Sequence, residues 1–110
     1  MLDWHKIRTV LLDMDGTLLD LYYDNHFWRE HVPLRFAEKQ KITLDEAKQE
    51  LAGRYHHRAG TLEWYCVDFW SCELGLDIPE LKEEVAHLIA IHPDVPEFLR
   101  AVRVAGKRVA

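Results

Sequence analysis

A short apolar run, Ile7-Arg8-Thr9-Val10-Leu11-Leu12, ends abruptly at Asp13-Met14-Asp15-Gly16, and the pattern that follows is helical. A continuous β-branched and apolar run closed by turn residues predicts a buried strand of a parallel sheet, about Ile7 to Leu12. A parallel strand cannot reach its partner through a tight hairpin, so the chain has to leave the sheet and return through a long crossover. That requirement selects an α/β architecture.

From about Asp24 to about Ile91 the sequence predicts mostly helices. The first covers roughly Asn25 to Gln40, with Phe27, Trp28, His31 and Val32 at helical spacing and Pro33 as a kink or break. Thr43-Leu44-Asp45-Glu46 is a capping box that opens a second helix toward His57. Thr61 caps a third, about Leu62 to Glu73, which Gly75 ends. Asp77-Ile78-Pro79-Glu80 starts a fourth that runs to about Ile91, where His92-Pro93 breaks it. Pro96 opens a last helix, about Glu97 to Ala105, closed by Gly106. Lys107-Arg108-Val109-Ala110 then begins a second strand. Strand, helical block, helix and strand make a βαβ unit with a large insertion. The chain stops as that second strand starts, so it is expected to be a piece of a longer protein.

The 110 residues are 48% hydrophobic and 30% charged, which places the chain among globular sequences. A net charge of -5 gives no electrostatic footprint for nucleic acid. No apolar run is long enough to span a bilayer, and Met1 to Lys6 lacks a signal peptide's order, so no membrane partner and a cytoplasmic location are expected. Cys66 and Cys72, six apart on one expected helix, point in different directions and are expected to be reduced thiols.

Asp13 and Asp15 are the candidate catalytic pair. In extended chain, residues i and i+2 project to one side. They stand at the carboxyl end of the expected strand, where open α/β sheets bind ligands. Two carboxylates there repel each other, and a hard cation such as Mg2+ relieves that repulsion, which makes Asp13 and Asp15 candidate metal ligands as well. One carboxylate is suited to nucleophilic attack and the other to proton transfer. Gly16 permits the tight turn, and Thr17 offers a hydroxyl and an N–H to a phosphate. A plain polar turn is the bland alternative. A calcium loop fails on spacing, because Thr17 and Asp24 stand where a further ligand and a Glu are needed.

Val10-Leu11-Leu12-Asp13-Met14-Asp15-Gly16-Thr17-Leu18 resembles motif I of the haloacid dehalogenase-like (HAD) hydrolase superfamily. The resemblance implies an α/β, Rossmannoid core, present here only as its first strand and the start of its second (residues 1–21 and 93–110). It also implies a mostly helical C1-type cap inserted after motif I (residues 22–92), which closes over the site and selects the substrate. Asp13 would be the nucleophile and Asp15 the general acid/base, with Mg2+ touching the Asp13 carboxylate and the Asp15 backbone carbonyl. True dehalogenases lack the second aspartate, so Asp15 favours phosphate chemistry. Asp20 and Leu21, Asp24-Asn25, Phe27-Trp28, Thr61-Leu62, Trp64-Tyr65-Cys66, Asp68 and Leu74 to Ile78 are similar to the family's bacterial GMP/IMP nucleotidase branch. The implied substrate is a small phosphorylated metabolite, a purine nucleoside monophosphate. The Ser or Thr, the Lys and the acidic ligand of motifs II to IV fall beyond Ala110.

Within the helical block, Tyr22, Tyr23, Asn25, His26 and Trp28 are candidates for the pocket mouth. The alternative makes Phe27, Trp28 and His31 the buried stripe of the first helix, which Trp28 suits better. Asp20 is a candidate to orient the loop between core and cap. Tyr55, with Arg58 and the neighbouring His56 and His57, could stack a purine and donate to phosphate, or could simply complement a helix dipole. Trp64 and Asp68, at i and i+4, are expected on one helix face, with Asp68 either an acceptor for a guanine N–H or, as is commoner, an exposed solvated carboxylate. Arg100, Arg103, Lys107 and Arg108 are expected on a solvated face. Two rivals stand beside the nucleotidase reading. One is a family phosphatase for a sugar phosphate or phosphoglycolate, and the other an inactive fragment that self-associates through bare strand edges.

Overall fold

The computed structural model describes residues 1–110, which divide into two compact units, Met1–Leu21 with Ile89–Ala110, and Tyr22–Leu88.

In the first unit, β1 (Thr9–Val10) and β2 (Arg108–Val109) form a parallel ladder with Thr9 opposite Arg108 and Val10 opposite Val109. The N–H of Leu12 extends it by donating to the Ala110 carbonyl at 2.8 Å. The ladder is thus shorter than the expected Ile7–Leu12 strand, and Leu11 is 78% exposed rather than buried. A parallel strand is buried only when layers cover both its faces. Here α6 (Val95–Val104) is the unit's one helix, and Val102 is its one buried residue. Pro96 lies in the first turn of α6, where its missing N–H is one of the unpaired donors anyway. Gly106, at φ +75°, turns the chain back toward the ladder. Lys107, expected in solvent, instead donates from Nζ to the carbonyls of Trp4 (2.7 Å) and Ile7 (2.8 Å), anchoring the 3-10 turn Trp4–Lys6 before β1.

The second unit is helical and carries its own core. Phe27, Val32, Phe36, Ala37, Ala47, Leu51, Trp70, Leu74, Ile78, Leu81 and Val85 form one buried cluster. The first expected helix begins three residues early and does not break at Pro33. Instead, α1 (Tyr22–His26), a π turn (Phe27–His31) and α2 (Val32–Gln40) run on continuously. Proline lacks an N–H and its ring crowds the carbonyl four residues back. The wide turn just before Pro33, closed by Val32 N–H to the Phe27 carbonyl, takes up that conflict without ending the helix.

Helix α3 (Leu44–Arg58) is capped by Thr43, whose Oγ1 accepts from Glu46 N–H at 3.2 Å. The expected Leu62–Glu73 helix is two pieces, a 3-10 segment (Leu62–Tyr65) and α4 (Val67–Leu74), separated by extended Cys66. Cys66 Sγ caps α4 by accepting from Phe69 N–H at 3.4 Å. Gly75 closes α4 in the left-handed conformation. Asp77 caps α5 (Ile78–Glu84), accepting from Glu80 N–H at 3.1 Å. Helix α5 ends well before Ile91, and a 3-10 turn (Ala86–Leu88) follows. At three residues per turn, buried Val85 and half-buried Leu88 face the same side.

Candidate active site

The carboxylate pair stands on a tight turn directly beyond β1. Asp13 and Asp15 are both exposed. One Asp13 oxygen, Oδ1, accepts from Met14 N–H at 2.8 Å, which fixes the carboxylate against its own backbone. The Met14 carbonyl accepts from three N–H groups in succession, those of Thr17 (3.3 Å), Leu18 (3.0 Å) and Leu19 (2.9 Å). Gly16 N–H returns to the Leu19 carbonyl at 3.0 Å, and φ of +75° at Gly16 makes this closure possible. A Cβ at Gly16 would meet the Leu21 side chain at 3.1–3.2 Å. Residue type and turn geometry are therefore locked together at this position.

One consequence concerns oxygen donors. The carbonyls of Met14 and Leu19 are consumed by the turn, yet no backbone N–H donates to the Asp15 carbonyl between them. The turn thus presents two carboxylates and one carbonyl to which no backbone N–H donates. No cluster of three His, Cys, Asp or Glu side chains exists in the chain. Mg2+ keeps several waters and is commonly held by one or two carboxylates plus phosphate oxygens. The all-oxygen donor set at Asp13 and Asp15 fits that cation, and it lacks the nitrogen and sulfur ligands typical of zinc. The N–H of Thr17 is occupied by the Met14 carbonyl, so its hydroxyl is the group left to meet a phosphate.

A second strip of backbone braces the turn. Asp20 N–H donates to the Ala90 carbonyl at 2.8 Å, His92 N–H donates to the Leu18 carbonyl at 3.1 Å, and Leu19 bridges Ile91 in antiparallel sense.

In the second unit the remaining candidates divide. Asn25 is exposed on α1, and His26 stacks on Tyr22 with centroids 5.8 Å apart. Tyr55 belongs to the packing. Its hydroxyl donates to the Trp28 carbonyl at 3.1 Å, and its ring makes edge contacts with Trp28, Trp64 and Trp70. Burial pushes its phenol well above the ordinary tyrosine range. A ring enclosed in this way is no free platform for a purine. Arg58 lays its guanidinium 5.0 Å over the Phe69 ring.

Trp64 and Asp68 do not share a helix face, because the break at Cys66 falls between them. The Trp64 carbonyl accepts from Trp70 Nε1 at 3.0 Å, and Asp68 lies exposed in the first turn of α4. Cys66 and Cys72 are both free and exposed, and the same break removes the single helix on which their spacing was judged. One cluster was not visible as a cluster in the sequence: His31, Arg35 and Glu84, from the π turn, α2 and α5, meet inside this unit. The one local signal was a histidine at core spacing.

No helix is long and apolar enough to cross a membrane. No family model matches the chain. The GMP/IMP nucleotidases YrfG of Escherichia coli (strain K12) and Shigella flexneri are each 44% identical to it over 105 residues, which is 96% of this chain and 47% of theirs. A crystal structure described as a HAD phosphatase from Thermococcus onnurineus superposes with a TM-score of 0.77 at 26% identity, over 94% of this chain and 49% of that one. The chain thus spans about half the length of the relatives it matches. The expected fold class, a partial HAD-like core carrying a helical insertion, agrees with this likeness.

Proposed function

Because this chain belongs to the HAD superfamily as its amino-terminal portion, we propose that it supplies the nucleophile and the acid/base of a phosphomonoester hydrolase. The observation that carries the reading is the exposed Asp13–Asp15 pair on a locked turn, in a chain so close to two nucleotidases. The Asp13 carboxylate attacks phosphorus, forming an aspartyl–phosphate bond as the phosphorus–oxygen ester bond breaks. Asp15 gives its proton to the departing alcohol oxygen. Asp15 then takes a proton from water, whose oxygen attacks phosphorus, and inorganic phosphate leaves as the Asp13 carboxylate is regenerated. The Met14 N–H on Oδ1 orients the nucleophile, leaving Oδ2 for attack. The Thr17 hydroxyl meets the phosphate at the Gly16 turn. Mg2+, held by the Asp13 carboxylate and the Asp15 carbonyl, would offset the negative charge of phosphate and carboxylates when bound.

The substrate we assign is a purine nucleoside 5'-monophosphate. The support is the GMP/IMP nucleotidase identity of the two relatives and their similarity to this chain through Tyr22–Leu88 as well as the motif. The cytoplasm is the compartment that suits such a substrate. Phosphate release from GMP, IMP, a sugar phosphate and phosphoglycolate, with and without Mg2+, tests the assignment in the chain extended to the length of its relatives. Preference for the sugar phosphate or phosphoglycolate would overturn it. The 110-residue chain alone is expected to release no phosphate, since the partners implied for motifs II to IV are not among its residues. The outer edges of β1 and β2 are unpaired in this two-stranded ladder, which favours self-association of the isolated chain. Sedimentation velocity checks that, and a monomer at high concentration would refute it.

A further inference from the structure

The second unit holds a titratable cluster that the proposed chemistry does not use. His31, the last residue of the π turn, is only 8% exposed. Its Nε2 is buried with no hydrogen-bond partner and lies 3.7 Å from Glu84 Oε2 at the end of α5. That carboxylate oxygen is already taken by Arg35 Nη2 at 2.5 Å, while Arg35 Nη1 binds Glu38 at 2.9 Å. Arg35 Nε is likewise buried without a partner. The Phe27 ring lies 6.2 Å from the imidazole. The charged and titratable groups acting on His31 are Glu84 from α5, Arg35 and Glu38 from α2, and His26 from α1.

Burial is the largest influence on His31 and holds its pKa below the ordinary histidine value. Glu84 and Glu38 pull the other way, and Arg35 and His26 add to the effect of burial. Burial wins for a geometric reason. The nearest carboxylate is committed to Arg35 and stands beyond hydrogen-bond reach, so a proton on Nε2 would find neither water nor an acceptor.

We propose that His31 is an acid-sensitive latch between the π turn and α5. Neutral, it completes the packing around Phe27. Protonated, it sets a second cation beside Arg35 in competition for Glu84, and α5 loosens. The unfolded chain takes up this proton near pH 6.5, and the folded chain takes it up at lower pH. Between those values the unfolded state binds more protons. The stability His31 contributes is therefore complete above about pH 6.5 and declines as pH falls through the folded value.

The test is a histidine-ring NMR titration of the intact chain, with hydrogen exchange of the α5 amides followed from pH 7.5 to 5. His31 is expected to titrate below the ordinary histidine value of about 6.5. Protection of α5, corrected for intrinsic exchange, is expected to fall at least tenfold on acidification. Glu84→Gln, which removes the attracting charge, should move the His31 midpoint lower still. His31→Gln should leave α5 protection nearly independent of pH. A His31 midpoint at or above about 6.5, or α5 protection that does not change with pH, would overturn the latch. If His31→Gln does not fold, the wild-type titration and Glu84→Gln decide alone.

Discussion

The two units of this chain divide burial and chemistry between them. Of the buried apolar side chains, only Val102 lies in the first unit, and the whole packed cluster lies in the second. The first unit nevertheless carries Asp13, Asp15, Gly16 and Thr17, all exposed on one short turn. Nothing in the second unit matches that arrangement, and its strongest cluster of polar groups runs from buried His31 out to partly exposed Arg35 and Glu84. The contrast teaches that the candidate reactive groups are organised by backbone hydrogen bonds and one glycine, while stability resides in aromatic and aliphatic packing elsewhere. Perturbations should accordingly separate into those that remove activity without unfolding and those that unfold.

The largest separation is expected at the carboxylates. In the chain extended to the length of its relatives, Asp13→Asn should lower phosphate release from GMP by at least about a thousandfold, and Asp15→Asn by roughly a hundred- to ten-thousandfold. The denaturation midpoint should hardly move in either variant. A wild-type rate for Asp13→Asn would break the comparison outright. The opposite pattern is expected at Phe27, which is fully buried. Phe27→Ala should cost about 3–5 kcal/mol, read by urea unfolding with tryptophan fluorescence.

Gly16 lies between these extremes. Gly16→Ala must hold φ near +75° and press a methyl group on Leu21, at a cost of about 1–2 kcal/mol, with a measurable loss of turnover because the turn carries both aspartates. The smallest effect is expected at a surface cap. Thr43→Ala should cost about 1 kcal/mol in thermal unfolding and leave turnover unchanged. A turnover defect there would show that the division between the units is less clean than drawn.

The legible parts of the fold were those governed by local chemistry. Asp13-Met14-Asp15-Gly16 marked the end of a strand because aspartate and glycine suit that turn. Thr43 and Asp77 marked helix starts because their side chains accept from N–H groups three residues on. Gly75 marked a helix end because it accepts a left-handed conformation. The features that escaped depend on partners distant in sequence or on a conflict resolved by packing. A continuous helix through Cys66 would commit the Trp64 carbonyl to Asp68 N–H, whereas the indole of Trp70 claims that oxygen. The chain bends there because an aromatic cluster is better satisfied.

Pro33 was expected to kink or break its helix, and a π turn takes up the conflict without ending it, because Phe27, His31 and Val32 on either side are all drawn into the core. Tyr55 looked like a ligand group because sequence shows side-chain chemistry but not that its hydroxyl and ring are already spent. The candidate site itself was legible as residues. The Asp15 carbonyl was named only through the family resemblance, and that no backbone N–H donates to it emerges from the bonds of Met14 and Leu19 around it.

The bond between Asp20 N–H and the Ala90 carbonyl has one more implication. It pins together the two points at which the chain leaves and re-enters the strand-bearing unit, so the whole stretch from Tyr22 to Leu88 is spliced in at a single doorway. An insert with adjoining ends can be lengthened, exchanged or deleted without rerouting β1, its turn or α6, and a short glycine bridge from Asp20 to Ala90 would be enough to close the gap. The junction makes the helical unit a replaceable cassette, so Tyr22–Leu88 could change while Asp13, Asp15 and their turn stay untouched.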